Sequence, residues 1–552
     1  MIRLFLCCFL FIHTAFAETL PQQNMVASAH PLATKAAIDI FKQGGNAFDA
    51  AAALALTIGV AEPTGSGIGG GGFFLLYIAK ENKYIMLDAR EMSPTLARHG
   101  EIYQTKSSID GPQSAAVPGL IAGIDHLITK YGNLDRKRDT EAAINIAKHG
   151  FKVSQHYQRV AQWRKDVLKT NASKNIFLHQ SKVPDIGSLI QQPELANTLE
   201  RFAKFGADDF YRGETAKRLV ADMKKDGGLI RADDLETYQL IEREPVRFQY
   251  QGFEWIAAAL PSSGGITLAE TLGILKDDKL GKLSEVERTH LLIEAMKLAY
   301  KDRNQHLGDS DFVTIPDLLN EKRLKKLRHQ ISMNKTTPSS SFVADPSGNG
   351  VDTTHFSIID KEGNMVAATL SINYGFGSAY VSPSTGILMN DEMDDFATQI
   401  GKPNAYGLVQ GKANAVAPHK RMLSSMSPTF ILGKNRTFIV GTPGGSRIIS
   451  MVLLAGLEFM HGGNDVSAWI NKPRFHHQYL PDVVQHEQGA FSLQVSKQLQ
   501  AKGHQLKPIR NYGNMHAIVW DKKSGQVFGA SDKRGEGVTA TFTVKTQSSP
   551  VK

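Results

Sequence analysis

"GNGVDTTHFSIIDKEGNMVAATLSIN" fills residues 348–373. A Gly/Asn/Asp turn runs straight into two threonines, Thr353 and Thr354, at the head of a β-branched run. The apolar segments on either side of "KEGN" (361–364) read as a β-hairpin closed by a Gly-Asn turn. With the turn centred on Glu362-Gly363, residues whose numbers sum to about 725 lie opposite one another, which sets Thr353 level with position 372. Ser371 and Asn373 flank that position. A threonine at a strand's start that faces a hydroxyl and an amide suits an N-terminal nucleophile. Its Oγ attacks the carbonyl of Asp352, the ester hydrolyses, and Thr353 becomes a new N-terminus. The freed α-amine, with an ordinary pKa of about 7.7–8.0, is then a general base beside its own hydroxyl. Threonines heading a strand are also ordinary β formers, so the rest of the chain has to decide.

The tract before the hairpin, "KTTPSSSFVADPSGNGVD" (335–352), is Ser/Pro/Gly-rich and polar, the composition of an exposed loop where chains are cut. Upstream, helical periodicity dominates. "PLATKAAIDIFKQGGNAFDAAAALALTIGVAEP" reads as two helices broken at Gly44-Gly45-Asn46. "LIAGIDHLITKYG", "PELANTLERFAKFG" and "THLLIEAMKLAYKDRNQHLG" repeat the form of an amphipathic helix closed by glycine. "GFFLLYIA" with "YIMLDAR", and "VRFQYQGFEWIAAAL", read as strands among them. From about 353 strands take over: "THFSIID", "MVAATLSI", "SPTFILG", "RTFIVGT", "HAIVWD" and "VFGASD". Sheets covered by helices predict a layered α/β or α+β architecture.

Composition excludes several classes. The chain has 552 residues, too many for one simple core, and 42% hydrophobic with 21% charged residues is a globular balance. The formal charge of +9 is modest for this length, and its densest run, "NEKRLKKLRHQ" (320–330), has no interleaved aromatics. It reads as a solvated helix face and not as a nucleic-acid surface. The N-terminus, "MIRLFLCCFLFIHTAFAETL", has one Arg, an apolar run from Leu4 to Phe16, and Ala15-Phe16-Ala17 before Glu18. This predicts a signal peptide over 1–17, too short to span a bilayer, and a protein exported to a periplasm or the extracellular space. Both cysteines, Cys7 and Cys8, lie inside it, so the mature chain has no disulfide, thiol nucleophile or Cys-ligated metal.

Three other patterns mislead. "GSGIGG" (65–70) fits a dinucleotide loop, but a helical run precedes it and a strand follows, the reverse of what that site needs. Its glycines let backbone pass close to a core or cleft. His476-His477 point apart on a strand and have no suitably spaced third ligand, so neither a metal nor another cofactor is expected. His355 sits two along the strand from Thr353, a structural position.

In order along the chain, "GNAFDAAAALAL", "GIGGGGFFLL", "LDAREMSP", "AAVPGLIAG", "PSSGGIT", "TTHFSIID", "GILMNDEMDDF", "RMLSSMSPT", "GTPGGSRI" and "RFHHQYLPD" together resemble the γ-glutamyltranspeptidase (glutathione hydrolase) family over nearly all of the mature chain. The resemblance implies an α+β fold, the four-layer αββα N-terminal-nucleophile hydrolase. It implies a precursor cut into a large subunit (18–352) and a small subunit (353–552). Thr353 then matches the nucleophile, and Ser371 and Asn373 the groups flanking it. Gly444 and Gly445 match the oxyanion hole, where glycine lets backbone N–H groups approach. Arg90, Ser424 and Ser425 match the clamp on a substrate α-carboxylate, and Asn373, Glu392 and Asp395 the receivers of its α-ammonium. The Gly/Asn/Pro-rich stretch "QIGKPNAYGLVQGKANAVAPHK" (399–420) resembles the lid that some members carry, with Tyr406 at the covering position. The implied substrates are glutathione and other γ-glutamyl compounds, with water, amino acids or dipeptides as acceptors. The alternatives are a same-fold β-lactam (glutaryl) acylase and an uncleaved exported binding protein.

Overall fold

The hairpin at 353–371 organises the fold. In the computed structural model, Thr354–Ile359 pairs antiparallel with Met365–Ser371, and Thr354 stands opposite Leu370. Thr353 is therefore level with Ser371, one residue from the turn-centred expectation. The turn explains the offset. Gly363 N–H donates to Asp360 O, Gly363 takes a left-handed φ of 88°, and Asp360 N–H donates to Asn364 O. This is a three-residue loop with a glycine bulge, which closes on Asp360 and Asn364. The structure describes residues 18–339, 353–463 and 465–543. The expected signal segment 1–17 and the cut-prone 340–352, with Asp352, lie outside the described residues.

The hairpin sits in the middle of a seven-stranded antiparallel sheet. Its order is Val538–Phe542, Asn24–Ser28, Thr354–Ile359, Met365–Ser371, Gly71–Ile78, Lys83–Ala89 and Ile241–Arg243. A second, six-stranded antiparallel sheet runs Val527–Ser531, His516–Asp521, Arg436–Gly441, Thr429–Leu432, Phe253–Ala257 and Val246–Tyr250. Alternation decides what each face meets. Met25, Ala27, Phe73, Leu75, Met365 and Ala367 join a core shared with the second sheet. Their neighbours Val26, Phe74, Leu76, Val366 and Ala368 join a core shared with helices.

Helices close both outer faces, giving the expected αββα layers. Pro31–Lys42 and Ala47–Ala61 pack over the first sheet. The second is buried along its whole length, because its alanines let neighbours approach closely, and it starts with a capping box between Asn46 and Asp49. Gly264–Ile274, Glu285–His306 and Ile448–His461 cover the other sheet. Among the described residues, no helix is long and apolar enough to cross a membrane.

The glycines at 65–70 do what the decoy argument expects of them. A methyl group on Gly69 would lie 2.1 Å from Leu388 O, and one on Gly70 2.2 Å from Ser371 O. A side chain at either position would push away the strand end that carries Ser371.

Candidate active site

Thr353 is buried at the head of its strand, with Oγ1 3.3 Å from Ser371 Oγ. Asn373 N–H donates to Ser371 Oγ at 2.8 Å, which leaves the serine proton free to turn toward Thr353. Asn373 adopts φ 72°, a conformation asparagine tolerates better than most residues, and its side-chain amide donates to Asp391 O. The register thus delivers a hydroxyl opposite a hydroxyl, and the following bend delivers an amide.

These residues line one cleft together with Arg90, Glu392, Asp395, Tyr406, Ser424, Ser425 and Gly445. Gly444, the remaining residue of the expected set, adjoins it, with φ 140° against 57° for Gly445. Both precede the helix Ile448–His461, whose N-terminal end faces the cleft through Gly445, Ser446 and Ile448. A methyl on Gly445 would fall 2.4 Å from the Tyr406 ring, so glycine is required for the lid residue to sit there. Tyr406 OH donates to Asn373 O at 3.1 Å. The 399–420 stretch is held down beside it, with Ala405 N–H donating to Asp394 at 2.8 Å and Gln410 to Asp395 O at 2.9 Å.

Arg90 is fully buried and ringed by carboxylates: Asp395 at 2.5 Å, Glu392 at 2.6 Å and Glu91 at 3.3 Å. Burial opposes its charge, but Glu392, Glu91 and Asp395 outweigh this and hold its pKa above the ordinary guanidinium value. Three carboxylates around one cation leave the cluster acidic. Burial pushes Glu91 up to about 7 against the pull of Arg90, and raises Glu392 well above the usual carboxylate range. Among the described residues, Glu392 Oε1 has no hydrogen-bond partner. An arriving cation would find an open acceptor there, and its charge would draw the raised carboxyls back toward ionisation.

Arg303 is the residue that sequence reasoning missed. It is fully buried, lines the same cleft, and donates to Ser263 Oγ at 3.0 Å, Asn304 Oδ1 at 3.0 Å and Ser425 Oγ at 2.8 Å. None of these partners is a carboxylate. Burial lowers its pKa to about 10, with Tyr300 and Asp395 opposing. No stripe singles it out: Glu285–His306 is buried on every side from Thr289 to Lys297, where an amphipathic helix was expected, so Arg303 is one of many inward positions. "PSSGGIT" supports the same wall: Ser263 N–H and Oγ both donate to Ser424 O. A methyl on Gly264 would meet Ser427 Oγ at 2.2 Å.

His355 stays out of the cleft. Its ring contacts Thr369 and Ser357, and a methyl on Gly441 would strike it at 2.3 Å. Burial holds its pKa well below the usual histidine value. Among the described residues lining the cleft there is no histidine and no lysine. His476 and His477 diverge, to Ser450 and to Asp482 respectively. Metal-type ligands do converge elsewhere, at His290, Glu294 and His504. There the two rings hydrogen-bond to each other at 2.7 Å, and Glu294 accepts from Thr336 and Thr337.

A family model described as gamma-glutamyltranspeptidase matches residues 33–542. The chain belongs to the gamma-glutamyltranspeptidase family. Among its relatives in that family, the glutathione hydrolase proenzyme of Escherichia coli (strain K12) is 38% identical over 539 residues, covering 94% of this chain and 92% of its own. That of Pseudomonas aeruginosa is 39% identical over 542 residues, covering 95% of each. Among solved structures, the cephalosporin acylase from Bacillus halodurans matches with a TM-score of 0.82 at 26% identity, covering 98% of this chain and 99% of that one. Helicobacter pylori gamma-glutamyltranspeptidase matches at 35% identity and a TM-score of 0.55, covering 57% of this chain and 93% of that one. These neighbours share the N-terminal-nucleophile hydrolase fold that the layers display.

Proposed function

We propose that the chain is an exported precursor, freed of residues 1–17, that cuts itself between Asp352 and Thr353. The product is a large subunit (18–352) paired with a small subunit (353–552). The mature enzyme takes the γ-glutamyl group of glutathione and similar compounds. Thr353 Oγ attacks the γ-carbonyl while its proton passes to the α-amine of Thr353. Gly444 and Gly445 receive the developing oxyanion. The proton then goes to the leaving amine, the C–N bond breaks, and a γ-glutamyl ester remains on Thr353. Water, or the amine of an amino acid or dipeptide, resolves that ester. Ser424 and Ser425, with Arg90, take the substrate's α-carboxylate. Asn373, Glu392 and Asp395 take its α-ammonium, and Tyr406 covers the occupied site. The observation that carries this reading is Thr353 paired with Ser371 in the cleft that holds the Arg90–Glu392–Asp395 cluster.

N-terminal sequencing of the smaller band on a gel, together with release of p-nitroaniline from γ-glutamyl-p-nitroanilide, tests it. A band that begins at Thr353 and an active protein are expected. A single band would leave the uncleaved binding protein as the better account.

The base is tested by pH. An α-amine abstracts a proton only when unprotonated, so kcat/KM should rise with pH through a titration near or below about 7.7–8.0. Burial also holds two carboxyls of this region near neutrality, Glu91 at about 7 and Asp394 at about 6. Glu91→Gln should keep the rising limb in place. If the limb disappears in that variant, the carboxyl cluster and not the amine controls the rate.

Arg303 gives the wall beside Ser425 its positive charge. Arg303→Met should cost about 2–5 kcal/mol in kcat/KM on γ-glutamyl anilide, the range for breaking one side of a desolvated charge pair. On 4-aminobutyryl anilide, which has the amine but no α-carboxylate, the change should be small. Equal losses on both anilides would mean that Arg303 only supports the fold.

The likeness to a cephalosporin acylase keeps a glutaryl substrate in play as the second reading. It predicts the opposite ranking of γ-glutamyl and glutaryl anilides.

A further inference from the structure

A buried cluster outside the cleft joins residues from before and after position 353. His290 and Glu294 stand one turn apart on Glu285–His306, so both side chains leave the same face. The third member, His504, follows the helix Leu493–Ala501. That helix ends in a Schellman motif: Gly503 N–H donates to Gln500 O, His504 N–H donates to Leu499 O, and Gly503 takes φ 98°. The turn carries His504 inward, where it is buried against His290. One ligand-type atom from each of the three residues lies within 4.8 Å of the other two. None of the three lines the cleft.

The neighbours of these groups prepare them as ligands. Ser332 O can only accept, so His290 Nε2 donates to it across 2.7 Å and Nδ1 keeps its lone pair. That lone pair faces His504 Nε2 at 2.7 Å. A histidine whose far nitrogen donates to a backbone carbonyl is oriented as metal-bound histidines are. Thr336 Oγ1 and Thr337 N–H donate to the two oxygens of Glu294 at 2.6 and 2.9 Å, which orients the carboxylate and leaves each oxygen a lone pair. Lys297 is the competing cation. Its Nζ is 3.6 Å from Glu294 but 3.0 Å from Asp482 and 3.1 Å from Thr336 Oγ1, and it donates to Thr337 O. Those other partners hold it in place when Glu294 turns to an ion. Lys502 also acts on His290, so two lysines stand against Glu294 and Asp482. Net charge therefore draws no cation in, and selection falls to the nitrogen donors.

We propose that His290 Nδ1, His504 Nε2 and one oxygen of Glu294 bind a zinc ion. Two imidazoles and a carboxylate suit zinc or a neighbouring transition ion, whereas calcium and magnesium take oxygen ligands. Ligands about 2.0–2.1 Å from a tetrahedral zinc stand roughly 3.3 Å apart, so the two rings part by about half an ångström and the carboxylate closes in. His504 then carries its proton on Nδ1, so the hydrogen on Nε2 changes nitrogen and none is lost. Water takes the fourth position. The ion is a tie and not a catalyst. It joins His290 and Glu294 to His504, and through Ser332, Thr336 and Thr337 it fixes the stretch that leads to the cut-prone tract. Its role as a bridge between subunits rests on the self-cutting reading, and the site itself does not.

The test takes full-length protein stripped with EDTA and dialysed, and titrates it with zinc against a chromophoric indicator. A parallel titration uses cobalt(II), whose visible absorption reports a tetrahedral site. One zinc per chain, a cobalt spectrum that zinc abolishes and a melting temperature raised by zinc are expected, and calcium or magnesium should produce none of these. His504→Gln and Glu294→Gln should each remove the cobalt spectrum. Thr336→Val keeps all three ligands and loses only the bond that orients Glu294, so zinc should bind about tenfold more weakly. Thr336 is only half-buried, so this variant reads the site even where a ligand variant folds poorly. No cobalt spectrum in the unaltered protein, or zinc bound equally well by all three variants, would overturn the proposal. Failure of the self-cutting reading looks different: the unaltered protein would stay a single chain and still bind its zinc.

Discussion

Thr353→Ala should give one uncut, inactive chain. The alanine lacks the hydroxyl that would attack the Asp352 carbonyl, so no ester forms and no new N-terminus appears. The fold should tolerate the change. Thr353 precedes the first ladder pair, Thr354 with Leu370, and among the described residues its hydroxyl contacts Ser371. Ser371 keeps its bond from Asn373 N–H. Circular dichroism and melting temperature should therefore match the unaltered precursor, while γ-glutamyl anilide turnover falls by roughly 10³-fold or more, as when other nucleophiles are removed. Thr353→Ser keeps both hydroxyl and amine and should process and turn over, more slowly. Normal cleavage of the Thr353→Ala variant, seen as two bands with the introduced alanine at the new terminus, would sink the self-cutting mechanism.

The second large effect separates γ-glutamyl from glutaryl chemistry. Asp395 lies 2.5 Å from Arg90 and lines the cleft beside Glu392. A glutaryl group has no ammonium, so carboxylates beside Thr353 can only repel its negative end or stand idle. For glutamate they supply the charge partner. Removing one side of such a desolvated pair costs about 2–5 kcal/mol, or roughly 30- to several-thousand-fold in kcat/KM. Asp395→Ala should lose that much on γ-glutamyl anilide and lose little, or gain, on glutaryl anilide. Cutting at Thr353 should continue, because the cut requires the hydroxyl and not the substrate pocket. If the unaltered enzyme prefers the glutaryl anilide, or the variant slows both equally, the acylase reading takes over.

What was legible in the sequence follows the range of the interaction involved. The hairpin, the break at Gly44-Gly45-Asn46 and the close-passing glycines are written locally, in turn residues and period, and the structure places them as expected. Its one-residue register offset comes from the Gly363 bulge, which no count of alternation reveals. Asn24–Ser28 had no such signal. Its five buried residues form an interior strand only because Val538–Phe542 and Thr354–Ile359 arrive from far along the chain. Ile448–His461 is apolar on nearly every side, so it shows no stripe to read. In the cleft, residue types were legible and charges were not. Arg90 reads as a bare guanidinium, yet three carboxylates already surround it, and Arg303 holds a hydroxyl wall whose partner Ser425 lies 122 positions away. Spacing along a chain does not reveal which ions share a buried site.

The seven-stranded sheet has one more consequence. Its strands fall before or after residue 353 in interleaved order: after, before, after, after, before, before, before. The second sheet mixes them too, with Phe253–Ala257 hydrogen-bonded to Thr429–Leu432. Once the connection at 352–353 is severed, the two pieces can separate only by dissolving both ladders, so dilution alone should not part them and exchange between molecules should be negligible. Melting is another matter. An uncut chain regains its fold by a first-order search, whereas two separated pieces must first meet in solution, and each carries unpaired strand edges until they do. Heat or denaturant should therefore be survivable for the precursor and close to irreversible for the cut form. The lifetime of the mature protein is then set by how fast it opens and not by an equilibrium it can return to.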